Sequence, residues 1–381
     1  MIYLDNAATS FPKPESVCGE MDRCMREYCA NPGRGGHFLS IRAGMAVTHA
    51  RDTVCELFSI SNPMNLVFTK NATEALNIAI KGLVYPGCHV ITTAMEHNAV
   101  MRPLRTLERD MGIEVSEVKS NKLGEVDPED IRRSIKSNTA LIISTLSSNV
   151  NGIIMPIGQI GRISREYGAA FLVDASQGAG SLHVDVEAQC IDMLAFPGHK
   201  GLLGPQGTGG LFVRDGISIR TLMEGGTGSN SEYMYQPEIM PDKFESGTLN
   251  TPGIVGLGAG AGFVLQTGSE TIRDHKSRLV KLFADGLSQI PGVIQYSVPD
   301  KERNSGIIAI NLADMDSSEL SFMLDRDHGI FTRAGLHCSP AAHSVLGTLG
   351  RGVVRFSFGC FNTENDIIRT LDVINSIAHK T

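Results

Sequence analysis

The chain of 381 residues has a formal net charge of −7, with 42% hydrophobic and 20% charged residues, 41 glycines and no tryptophan. That length supports two domains and a sizeable core, while the acid excess and the lack of any lysine- or arginine-rich run argue against nucleic acid as a partner. No apolar run approaches the roughly 18 to 20 residues that cross a bilayer, and the start, MIYLDNAATS, lacks a secretory pattern, so a cytoplasmic protein without a membrane partner is expected.

In chain order, apolar spacing predicts helices over 14–29 and 41–58. An alternation follows. LVFT (66–69) reads as a strand, and 73–84 as a helix with Ala75, Leu76, Ala79, Ile80 and Leu83 on one face. Strand 89–94, a helix near 98–111, strand 140–146, a helix over 157–167 and strands 171–176, 193–196 and 209–213 complete it. Strands rich in Val, Ile and Leu between helices predict an α/β fold with a mostly parallel sheet covered on both faces. After about residue 253 a long helix over 255–289, a strand at 307–312, a helix at 317–327, a strand at 353–359 and a closing helix at 363–378 read as a smaller α+β domain. The expected division is a large domain of 14–252 and a small one of 1–13 with 253–381.

Eight cysteines stand at irregular spacing: Cys18, Cys24, Cys29, Cys55, Cys88, Cys190, Cys338 and Cys360. No CxxC occurs, so reduced thiols are expected rather than disulfides or a metal site.

The chemistry sits at successive strand ends, where open α/β sheets bind ligands. LVFT leads to Ala72 and Thr73 at a helix start, which suits a phosphate; Thr73 could equally cap that helix. Strand 89–94 leads to His97, which could stack on a ring, move protons or serve structure alone. Strand 140–146 leads to Asn149, and strand 171–176 carries Asp174 and Gln177. The next strand delivers His199 and Lys200, 26 residues after Asp174. A lysine amine can join a cofactor aldehyde, and a carboxylate can pair with a pyridinium nitrogen and keep the ring an electron sink, so this couple points to pyridoxal phosphate. GHKGLLGPQGTGG does not fit GxxxxGK[ST]; its glycines are expected to let the chain pass close to the cofactor. Cys338, in RAGLHCSP, is either a nucleophile in a mobile exposed loop or an inert small residue.

The ordered motifs DNAAT, NPGRGGHFLS, NATEALN, EHNAV, SSNVNG, VDASQGAG, GHKGLLGP, FESGTLNTP, RAGLHCSP and VVRFSFGCFNTEND resemble the class V aminotransferase group of fold-type I pyridoxal phosphate enzymes from about residue 3 to 370. More narrowly they resemble cysteine desulfurases and selenocysteine lyases. The resemblance implies that Lys200 holds the cofactor and moves the substrate α-proton. It implies Asp174 on the pyridine nitrogen, Gln177 on the phenolic oxygen and His97 stacked on the ring. Thr73, the amide of Ala72 and His199 would hold the phosphate, joined by Thr248 from a partner subunit. Asn149 and Arg355 would bind the substrate carboxylate, with Arg333 as a further anchor; arginine pairs with carboxylate through two parallel hydrogen bonds. Cys338 would attack the sulfur of L-cysteine, or the selenium of L-selenocysteine, and release alanine. His337, Arg333 and the substrate amine are candidate helpers in forming its thiolate. A homodimer is implied, with His37 and Arg42 near its interface and His37 close to the substrate.

Two features depart from the family pattern. Pro197 replaces the usual serine before Gly-His-Lys and removes a hydroxyl and an amide donor. Only 17 residues separate Cys338 from Arg355, a short cysteine loop resembling the SufS-like type, which implies a small sulfur- or selenium-acceptor protein. Another class V transamination or β-elimination, and a scaffold without turnover, are the remaining alternatives.

Overall fold

The computed structural model describes residues 1–33, 35–229 and 232–379. The chain starts with β1 (Ile2–Tyr3), α1 (Glu15–Glu27) and α2 (Phe38–Leu57). It continues through β2 (Leu66–Thr69), α3 (Ala72–Leu83), β3 (His89–Thr93), α4 (Asn98–Met111), β4 (Glu114–Val118), α5 (Pro128–Ser134) and β5 (Thr139–Thr145). Then come α6 (Ile157–Tyr167), β6 (Ala170–Asp174), β7 (Met193–Pro197) and β8 (Gly209–Val213). The remainder is α7 (Thr251–Thr267), α8 (Ser269–Leu287), β9 (Val293–Gln295), β10 (Ile307–Leu312), α9 (Ser317–His328), β11 (Ile330–Phe331), β12 (Arg333–Gly335), α10 (Pro340–Leu346), β13 (Val353–Ser357) and α11 (Glu364–Ala378).

Seven strands form the large sheet in the order β2-β8-β7-β6-β5-β3-β4, and only β8 runs against the rest. Its central strands are buried along their whole length, as a sheet covered on both faces requires. Alternate residues feed opposite cores. Leu141, Ile143, Leu172 and Ala195 pack under α3 and α4 with Leu76, Ile80, Val100 and Leu104. Ile142, Phe171, Val173 and Leu194 face α2, α6 and α7, represented by Val54, Ile160 and Leu257.

The second sheet, β12-β13-β10-β9, is antiparallel throughout. Its core joins α8, α9 and α11 through Phe283, Leu324, Ile367 and Phe356, together with Ile2 and Leu4 from the N-terminus. The single helix expected over 255–289 is two helices. Gly268, at φ +86°, separates them in a conformation that favours glycine. By core membership α7 sides with the large sheet through Ile254, Leu257 and Ala261, and α8 with the small domain through Leu279 and Phe283. Val264 of α7 and Ile272 of α8 meet across the break in a small cluster with Leu203. The short elements β9, β12 and α10 and the edge strand β4 were not legible, because each is too brief or too polar to show a period.

Candidate active site

The carboxyl ends of β3, β5, β6 and β7 and the start of α3 surround a cleft lined by, among others, Thr73, His97, Asn149, Asp174, His199 and Lys200. Ala72, Gln177 and Pro197 share its wall. Five separated stretches of sequence thus meet in one place.

Each group is held by local chemistry. Asp174 ends β6 and is 2% exposed, with Oδ1 accepting from the Ser176 amide at 2.9 Å. Lys200 follows β7, and burial pulls its amine down to about 8 despite the counteracting charge of Asp174. His97 caps α4, its Nδ1 accepting from the Ala99 amide at 3.0 Å. The acceptor role leaves any ring proton on Nε2, and burial shifts the ring toward its neutral form. Thr73 does not cap α3: Asn71 does, through Oδ1 accepting from the Glu74 amide at 2.9 Å. The Thr73 hydroxyl is left on the cleft wall at the helix start.

His199 is fixed through its carbonyl, which accepts from the Ser10 amide at 3.1 Å, Thr9 Oγ1 at 3.0 Å and Lys13 Nζ at 2.8 Å. Its ring is pushed down to about 4 by burial and by Lys200 and Lys13, and its buried Nδ1 has no partner. Gln177 donates from Nε2 to the Ala7 carbonyl at 2.9 Å, so the segment after β1 sets its orientation. The glycine after the lysine serves packing rather than cofactor approach: a Cβ on Gly201 would lie 2.0 Å from the Ala179 carbonyl oxygen. Pro197 ends β7 opposite Gly209 of the antiparallel β8.

Arg355 lies in the middle of β13 and is 2% exposed. Its Nη2 pairs with Asp5 Oδ1 at 2.7 Å, its Nη1 donates to the Asn149 carbonyl at 2.9 Å, and its Nε is buried without a partner. Arg333 stands opposite it in register on β12 and is exposed. Asp5 was missed by sequence reasoning; the signal was DNAAT, read as a motif without a role for its acid.

Cys338 is exposed and lies between β12 and α10. Its neighbour His337 points inward instead. His337 Nε2 donates to the Arg333 carbonyl at 3.1 Å and its ring stacks on His343 with centroids 5.7 Å apart. Burial, with Arg355 nearby, pushes His337 down to about 3. A neutral, inward ring cannot assist ionisation of the Cys338 thiol, which removes His337 from the expected helpers.

Three expected residues lie elsewhere on the same chain. Thr248 lines a separate hollow with Thr69, Lys70 and Ser246. His37 caps α2, its Nδ1 accepting from the Ser40 amide at 3.3 Å, and is exposed. Arg42 lies over the Tyr28 ring at 4.6 Å and pairs with Glu27 at 2.7 Å.

A buried amine of lowered basicity, a buried carboxylate, a neutral imidazole and a helix start beside an orphaned imidazole nitrogen fit an aldehyde-bearing, ring-nitrogen, phosphorylated cofactor. That donor set matches pyridoxal phosphate. Among the described residues no group of three or more His, Cys, Asp or Glu could hold a metal ion, and no helix is long and apolar enough to cross a membrane.

Comparison with known proteins agrees with this geometry. A probable cysteine desulfurase of Methanothermobacter thermautotrophicus is 37% identical over 99% of this chain and 94% of its own length. One from Pyrococcus abyssi is 31% identical over 99% and 94%. The apo cysteine desulfurase of Thermococcus onnurineus superposes with a TM-score of 0.94 at 31% identity, covering 100% of this chain and 95% of that one. The cysteine desulfurase CsdA of Escherichia coli does so with a TM-score of 0.89 at 25% identity, covering 99% and 94%. The aminotransferase class-V profile matches residues 2–369, and the chain belongs to that pyridoxal-phosphate-dependent family.

Proposed function

We propose that the chain is a cysteine desulfurase, converting L-cysteine to L-alanine and collecting the sulfur on Cys338. The observation that carries this reading is the placement of an exposed cysteine on a loop tied to Asn149 and, through it, to the buried Arg355, at the rim of the cleft that holds Lys200. When bound, pyridoxal phosphate supplies an electron sink for the pair released at the substrate Cα.

Lys200 would hold the cofactor and carry the Cα proton, helped by an amine whose basicity burial has lowered toward neutrality. Asp174 would face the ring nitrogen, His97 the ring, Gln177 the phenolic oxygen, and Thr73, the Ala72 amide and His199 the phosphate. Arg355, with its unpartnered Nε, would take the substrate carboxylate beside Asn149, with exposed Arg333 at the entrance. The Cys338 thiolate would form a bond to the substrate sulfur as the Cβ–S bond breaks. The bonding pair passes to the carbon skeleton, which takes up protons and leaves as alanine; the sulfur stays on Cys338 as a persulfide.

The assembly is a homodimer in this reading. Phe38, Ile41 and Met45 on α2 are 73%, 54% and 68% exposed, an apolar stripe at helical spacing. Tyr233, Met234, Tyr235 and Ile239 add a second exposed group in the segment before Thr248. A second copy covering these surfaces would bring Thr248 to the phosphate of the other site and His37 toward its substrate. Mixing Lys200→Ala and Thr248→Ala subunits should then restore activity in the mixed dimer; no restoration removes the shared site. The exposed Cys338 suits transfer to a small acceptor protein, and its thiol chemistry suits a reducing cytoplasm.

The direct test incubates the cofactor-loaded enzyme with L-cysteine or L-selenocysteine under reductant and quantifies L-alanine. Alanine from cysteine, lost in Cys338→Ala, is the expected result. Alanine from selenocysteine alone reassigns the enzyme as a selenocysteine lyase.

A further inference from the structure

The loop that carries Cys338 is held in a conformation that L-residues rarely adopt. His337 and Cys338 both have positive φ, +51° and +57°, in succession. Two adjacent non-glycine residues in the left-handed region persist only where the surroundings over-determine them. The surroundings here are specific. Asn149 Nδ2 donates to the His337 carbonyl at 2.7 Å, and Asn149 Oδ1 accepts from Ser339 Oγ at 2.7 Å. One side-chain amide thus grips the residues on both sides of the cysteine. The Cys338 carbonyl itself accepts from the Asn98 amide at 2.8 Å, next to the cap of α4. Behind the loop, His343 Nδ1 and Thr348 Oγ1 share a hydrogen bond of 2.7 Å, and the stacked His343 ring backs His337. The backbone carbonyl oxygen of Asn149 accepts from Arg355 Nη1.

We propose that Asn149 is the positioning residue for Cys338, gripping the loop with its side chain while its backbone is held by Arg355, so that substrate anchoring and sulfur attack share one scaffold. The inference rests on the desulfurase reading for its consequence in turnover, though not for its geometry. Ser339 is part of the same grip: it is fully buried, and its hydroxyl donates to the Asn149 Oδ1. The His337 carbonyl can only accept, so Nδ2 faces it and Oδ1 is left to Ser339. Asn149 therefore does more than offer a hydrogen bond to a carboxylate. It sets where the attacking sulfur stands relative to the bound substrate.

Asn149→Ala and Ser339→Ala, both as holoenzyme, test this. Amide hydrogen exchange of peptides spanning 336–343 reads the grip directly. Exchange there should quicken by about fivefold in Ser339→Ala, which loses one hydrogen bond of the grip, and by more in Asn149→Ala, which loses two, while peptides from β10 and β6 keep wild-type rates. Steady-state kinetics reads the consequence. In Ser339→Ala, kcat for L-cysteine should fall about tenfold through misplacement of the sulfur, with KM unchanged. Binding of L-alanine, which has the carboxylate and no sulfur, should stay within about twofold of wild type, as expected for a residue that does not touch the carboxylate. Unchanged exchange over 336–343 in both variants overturns the proposal, as does a Ser339→Ala enzyme with wild-type kcat. Asn149→Ala that weakens L-alanine binding yet leaves both loop exchange and kcat untouched reduces Asn149 to a carboxylate ligand and also overturns it. Should Asn149→Ala not fold, Ser339→Ala carries the test alone. If the wild type makes no alanine from cysteine, the desulfurase reading fails while the exchange measurement still decides the grip.

Discussion

At the scale of single residues, the site joins groups whose charges the fold has adjusted. Lys200→Ala should abolish turnover and the covalent tie to the cofactor; after borohydride reduction, mass spectrometry of the peptide containing residue 200 should show the adduct in the wild type and none in the variant. Arg355→Ala should raise KM for L-cysteine by about 30-fold or more, the loss of roughly 2 kcal/mol or more expected when a charged hydrogen-bond partner is removed. It should also destabilise the protein by on the order of 3 kcal/mol, because Asp5 is left without its buried partner. Asp5→Asn with Arg355→Ala should recover part of that loss.

Glu96 is a second residue-scale case. It is fully buried beside His97. Its Oε1 accepts from Thr93 Oγ1 at 2.7 Å and the Thr145 amide at 2.9 Å, while Oε2 has no partner. Burial, reinforced by Asp174, pushes it up to about 8, against the pull of those hydrogen bonds. An acid whose pKa rises on folding binds more protons folded than unfolded, so its contribution is complete below pH about 4.5 and is lost as pH climbs through 8. Glu96→Gln should therefore match the wild type near pH 5 and exceed it above pH 8 by on the order of 2 kcal/mol, measured by urea unfolding across pH. Equal stabilities at pH 9 would contradict a neutral buried acid.

At the scale of elements, helix ends do the positioning. Asn71 caps α3 and frees Thr73 for the cleft, while His97 caps α4 with the same ring that faces the site. The break at Gly268 lets α7 lie on the large sheet and α8 on the small one. Gly268→Ala should cost about 1 kcal/mol because alanine disfavours positive φ, read as a lowered Tm with unchanged secondary structure.

At the scale of the whole molecule, stability should depend on acid through histidines kept neutral. His199 and His343 are pushed down to about 4 and His337 to about 3, each first by burial. A base with a depressed folded pKa contributes stability that is complete above its ordinary value of 6.5 and lost as pH falls toward 3 to 4. Thermal unfolding of the holoenzyme should show a steady fall in Tm below pH 6.5, and His343→Gln should flatten it.

The sequence by itself determined the sheet, the covering helices and the strand ends at which Asp174, Asn149, His97 and Lys200 stand, because period and residue type act locally and the buried strands admit little else. It also carried the family, since ordered motifs survive where fold and site demand particular residue types. Tertiary structure alone decided the rest. The partners of Arg355, Asp5 and the Asn149 carbonyl, come from opposite ends and the middle of the chain. The inward turn of His337 and the grip on Cys338 depend on hydrogen bonds across 188 and 190 residues. No local pattern encodes contacts of that separation; they exist only once two cores have packed and brought the N-terminus, β5 and β13 to one cleft.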